Sequence, residues 1–81
     1  MKKIVINIIK TSANIREKMS ELKISKAELR EALELKTNFK VNKILKGEAL
    51  PSLKELVAMC NLFNTKTSEL IDYCILEKLN V

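Results

Sequence analysis

The stretch Lys36–Gly47, KTNFKVNKILKG, decides how this chain is read. It carries four lysines and no acid, whereas the rest of the chain mixes basic and acidic residues. Val41, Ile44 and Leu45 recur at i, i+3 and i+4, the spacing of a short helix with one apolar face. Asn38, Lys40, Asn42 and Lys43 then fall on the other faces. Thr37 is the expected cap of this helix and Gly47 its stop, close after Lys46. A helix with an apolar back and a front of Asn and Lys suits the DNA major groove. There Asn pairs with adenine edges, and Lys with guanine edges or phosphates.

Upstream, SKAELREALEL (residues 25–35) reads as a second short helix, capped by Ser25 with Glu28 at the capping-box position. Thr11 or Ser12 is the expected cap of a first helix whose apolar residues are Ile15, Met19 and Leu22. Before it, Lys2–Ile9 is rich in Ile and Val and reads as a strand. Downstream, Pro51 and Ser52 open a fourth helix with Leu53, Leu56, Val57 and Cys60 on its inner side. Asn61–Lys66 turns the chain, and Thr67 or Ser68 caps a fifth element beginning with Leu70 and Ile71. In 72–81, Tyr73, Ile75 and Glu77 alternate as in a strand, and a helix is also open. The expected core is Met19, Leu22, Leu29, Leu33, Val41, Ile44, Leu56, Cys60 and Phe63.

Length and composition bound the rest. The 81 residues make one domain. A domain of that size buries about 60% of its unfolded surface. With 47% hydrophobic and 31% charged residues, one Gly and one Pro, the mixture favours helices and is not that of a disordered chain. Cys60 and Cys74 are far apart and there is no His, so neither zinc nor a disulfide framework is expected; both thiols read as core residues of a reducing cytoplasm. MKKIVINIIK is too short and too interrupted for a signal peptide, and no apolar run reaches membrane-spanning length. A soluble, intracellular protein is expected. No nucleophile with an evident base and no phosphate loop appears, so neither an enzyme nor a cofactor is expected. The net charge of +5 concentrates in residues 1–24 and 36–47, while 48–81 carries three basic and five acidic groups. That distribution favours a polyanion touching the first two regions.

Two capped helices joined by a tight turn form a helix-turn-helix pattern. Leu29–Leu35, Val41, Ile44, Gly47, Pro51, Leu53, Leu56 and Glu69-Leu70 resemble the lambda-repressor-like (Cro/C-repressor, XRE-type) DNA-binding domain. LREALEL and KILKGEALPSLKELVAMCNLFN resemble its very small stand-alone regulators from bacteria and mobile elements, with MCNLF (59–63) like that family's helix 4 run. The resemblance covers 12–71, leaving 2–9 and 72–81 as terminal extensions. It implies an all-α, five-helix domain to which short terminal β-strands pairing the two ends can be added.

The resemblance also implies site residues. Asn38, Phe39, Asn42 and Lys43 would contact bases, and Lys26, Thr37, Lys40, Lys46 and the Gly47 amide would contact DNA phosphates. Phe39 can meet a thymine methyl or fold back onto the core. The chain departs from the family in two ways. Leu29–Gly47 holds one residue more than the common spacing, which enlarges the turn around Glu34–Lys36. In that turn Arg30 and Glu34 replace the usual small residue and Gly. The expected function is a sequence-specific transcriptional regulator, a repressor that binds a pseudo-palindromic operator in double-stranded DNA as a homodimer, with no membrane partner. The alternative is a protein-interaction module on the same fold, such as an antitoxin or another partner-binding protein. Lys2, Lys3 and Lys10 read as a solvated terminus or a basic arm. The apolar ends, Ile4–Ile9 and Tyr73–Leu79, are expected to pair as strands or pack into a dimer interface.

Overall fold

Asn7 sets the first boundary in the chain. Its side chain accepts a hydrogen bond from the Lys10 amide (3.0 Å), so the strand β1 (Lys2–Ile6) gives way at once to the helix α1 (Ile8–Leu22). The helix thus begins before Thr11 and Ser12, the expected caps, and the expected strand is shorter by Asn7, Ile8 and Ile9. Thr11 and Ser12 instead lie buried on the inner face of α1 with Ile15. The computed structural model describes residues 2–77. After α1 come α2 (Lys26–Ala32), α3 (Phe39–Lys46), α4 (Leu53–Phe63), α5 (Thr67–Leu70) and β2 (Tyr73–Glu77).

Ser25 caps α2 and Ser52 caps α4, each in a reciprocal capping box with Glu28 and Glu55 respectively. At α3 the cap position is Asn38, whose side chain makes no capping bond; the Thr37 hydroxyl accepts only the Phe39 amide, at 3.4 Å. At α5 the cap position is Lys66, one residue before the expected Thr67.

The first four helices end with the same device. A residue in the left-handed conformation stands directly after α1, α3 and α4, at Lys23, Gly47 and Asn64, and one residue further on after α2, at Glu34. The next amide reaches back to an unpaired carbonyl of the last turn: Ile24 to Met19, Leu35 to Arg30, Glu48 to Lys43 and Thr65 to Cys60. Around Glu34–Lys36, where an enlarged turn is expected, residues 33–38 separate α2 from α3, and glutamate takes the left-handed place that glycine favours.

Leu29 and Leu33 from the α2 region, Val41 and Ile44 from α3, and Met59 and Phe63 from α4 meet Ile15 of α1 and Leu70 of α5 in one core. Met19, Ile24, Leu56 and Cys60 pack partly buried around it. Two expectations fail. Leu22 is half exposed in the last turn of α1, because Ile24, beyond the left-handed Lys23, packs on the core instead. In α4 the buried residues are Glu55, Met59 and Phe63, leaving Leu53 76% and Val57 48% exposed. Apolar residues surround most of LKELVAMCNLF, so hydropathy alone did not fix which face turns inward.

The ends pair as an antiparallel two-stranded sheet, with Ile4 opposite Ile75, Val5 opposite Cys74 and Ile6 opposite Tyr73. It is anchored to the helices at its base. The Asn7 amide donates to the Asp72 carbonyl (2.8 Å), the Asp72 amide to the Thr11 hydroxyl (3.0 Å), and the Asn14 side chain to the Leu70 carbonyl (3.1 Å). Residues 78–81 of the expected terminal element lie outside the described residues.

Candidate nucleic-acid interface

Val41 and Ile44 fix which way α3 faces. Both are buried. A rotation of about 100° per residue then turns Phe39, Lys43 and Lys46 directly outward, at i, i+4 and i+7. Asn42 lies half-buried on one flank and Lys40 on the other. Asn38 is exposed at the cap with its side chain uncommitted. The helix has three lysines and no acid, so every charge it carries is basic. Phe39 is 68% exposed, which settles its orientation: it does not fold back onto the core. The Lys43 ammonium lies over its ring, 4.9 Å from the centroid.

Both ends of α3 are tied to neighbouring helices. At the first turn, Lys40 forms an ion pair with Glu55 of α4 at 2.8 Å. Burial works to raise the Glu55 carboxyl pKa. The hydrogen bond from Lys40 and those from the Ser52 amide and hydroxyl outweigh it and hold the carboxyl below its ordinary value. At the last turn, the Arg16 guanidinium donates to the Leu45 carbonyl and to the Ser12 hydroxyl (2.7 Å), which itself donates to Leu45 at 3.3 Å. A cation at a helix C-terminus also complements the helix dipole. Beyond it, Gly47 (φ 76°) lets α3 approach α1: a Cβ there would lie 2.9 Å from Ile9 Cδ1 and 3.4 Å from Ser12 Oγ.

These ties revise two expected phosphate contacts. Lys40 is engaged with Glu55, so its charge is already countered and its first role is to position α3. Gly47 is buried and its amide donates to the Ile44 carbonyl at 3.2 Å, so it is withdrawn as a phosphate donor. Lys26 is exposed as the first residue of α2, Thr37 is exposed before α3, and Lys46 is exposed at its end. Arg16, Ser12 and Glu55 were missed as supports of the site. Nothing local links Arg16 to Leu45, far along the chain on another helix. The Ser52-x-x-Glu55 pattern of a capping box, by contrast, was legible.

Among the described residues, no helix is long and apolar enough to cross a membrane. No curated relative matches the chain in sequence. In structure it is similar to the restriction-modification controller protein C.AhdI from Aeromonas hydrophila, with a TM-score of 0.69 and 19% identity over 78% of this chain and 94% of that one. Residues 14–74 match the family profile described as the Cro/C1-type HTH DNA-binding domain, and the chain belongs to that family.

Proposed function

We propose that the protein is a sequence-specific transcriptional regulator, a repressor acting by occupancy as a homodimer on a pseudo-palindromic operator. The observation that carries this is the acid-free outward face of α3, with its lysines, Asn42 and Phe39, on a helix tied at both ends. A helix about 10–12 Å across fits a major groove about 12 Å wide. Phe39, Asn42, Lys43 and Asn38 would face base edges. Lys26, Thr37 and Lys46 would hold phosphates and make binding salt-dependent, with Lys40 adding only the charge its partner Glu55 leaves uncompensated. The similarity to a protein described as a controller supports a regulatory role.

The terminal sheet supports the dimer. Two strands alone are marginally stable in water and leave both edges open. Ile6 and Tyr73 are also exposed opposite each other. The test is selection of bound duplexes from a random pool by the full chain. The expected product is an inverted repeat with half-sites about one DNA turn apart. Recovery of unrelated sequences would reject sequence-specific regulation. The protein-interaction alternative draws on the exposed Leu53 and Val57 of α4; it predicts that the chain ignores duplex DNA at low salt.

A further inference from the structure

Phe39 is a large apolar side chain at the first outward position of α3, on a surface otherwise made of Lys and Asn. Lys43, one helical turn on, rests its ammonium over the ring. Lysine loses much side-chain entropy when it is fixed, and a cation–ring contact removes part of that cost before any ligand arrives. Ring and ammonium therefore present an apolar-cationic pair already in contact. They are 4.9 Å apart. That spacing is closer to one base-pair step, about 3.4 Å, than to two, about 6.8 Å. In the major groove an apolar ring matches the thymine C5 methyl and a lysine matches guanine O6 and N7.

We infer that Phe39 and Lys43 act as one reading unit, in which the ring detects the C5 methyl of a thymine and holds the lysine against the guanine of the adjacent base pair. The inference rests on the DNA-reading function proposed above and adds a chemical group to it: the protein senses a methyl group in the groove. A C5-methylated cytosine offers the same group at the same place, so it substitutes for that thymine better than cytosine does.

The experiment takes the duplex selected from the random pool and replaces its thymines one at a time with uracil, which lacks only the methyl. For the wild-type chain, one thymine in each half-site, next to a guanine, should weaken binding about fourfold on replacement. Phe39→Ala should bind the thymine and uracil duplexes equally and discriminate less at the adjacent guanine, although Lys43 is intact. Lys43→Ala should lose the guanine preference and keep the thymine–uracil difference. Tolerance of uracil at every position by the wild type, or an undiminished penalty in Phe39→Ala, overturns the inference while leaving the regulator function standing. A chain that selects no sequence overturns both.

Discussion

Glu34 holds a left-handed backbone conformation (φ 57°). A Cβ is disfavoured there by about 1–2 kcal/mol. Its ion pair with Lys54 at 3.2 Å is exposed on both sides. Such a surface pair returns little of that cost. Glu34→Gly is therefore expected to stabilise the fold by about 0.5–1 kcal/mol, a rise of a few degrees in thermal midpoint. At Gly47 the same conformation is combined with a close approach to Ile9. Gly47→Ala should destabilise by about 1–2 kcal/mol. Thermal denaturation of the two variants checks both, and a Glu34→Gly protein less stable than wild type would refute the strain argument. Glu55 gives a pH prediction. Its carboxyl is held below the ordinary 4.5. Its contribution is therefore complete above that ordinary value and is lost as pH falls through the lowered one. Glu28, lowered by its hydrogen bonds with the Ser25 amide and hydroxyl, acts in the same direction. Urea denaturation from neutral pH down to about pH 3 should show stability falling with acid, and Glu55→Gln should flatten part of that fall. The left-handed positions also mark a limit of the sequence. A glycine announces a helix end, as Gly47 does for α3, and asparagine does so more weakly, as at Asn64, but Lys23 and Glu34 take the same turn under residue types that give no such notice.

Among the elements, α3 was the most legible because four lysines and a clear apolar spacing coincide in one short stretch. Its supports were less so. The start of α1 was misplaced because Asn7 reads as a break in an apolar run, when it both ends a strand and caps a helix. The face of α4 was misread because apolar residues lie nearly all round it, and because the buried Glu55 is countered by Lys40 on another helix. Such long-range polar ties leave no periodicity to detect. They nevertheless bear on the proposed function, since a helix proposed to read bases can do so only as well as it is oriented. Arg16→Ala removes the donor that closes the last turn of α3 onto α1 and leaves the Leu45 carbonyl with only the longer bond from Ser12. The expected result is faster amide hydrogen exchange in α3 and a loss of about 1 kcal/mol of stability. Cognate affinity should fall although Arg16 faces no base. Lys43→Ala should behave differently: it is expected to cost about 1–3 kcal/mol at the cognate site with little change in stability, relaxing preference at one base. If both variants altered preference at that same base alone, the positioning role of Arg16 would be wrong.

At the scale of the whole molecule, the terminal sheet sets this chain apart from a plain five-helix body. The radius of gyration is 13.9 Å. A compact domain of this length is expected near ~12 Å, and the excess befits a body extended by a sheet. The sequence showed strand-forming ends but not their register, which the anchors at Asn7, Thr11 and Asp72 help to set. If the sheet joins two copies, charge placed at its exposed base should separate them without harming the helices. Ile6 is 41% exposed and its cross-strand neighbour Tyr73 is 54% exposed, so neither is needed to fill the monomer core. Ile6→Glu should therefore keep the helical circular dichroism and most of the thermal stability. In sedimentation equilibrium, wild type should populate a dimer and Ile6→Glu a monomer. On the selected operator the variant should bind one half-site with near-normal sequence preference but lose the tighter binding of the full inverted repeat, because linking two modest sites multiplies affinity only while the link holds. A variant that sediments as a dimer and binds both half-sites like wild type would move the interface elsewhere, with the exposed Leu53 and Val57 of α4 as the next apolar surface to test.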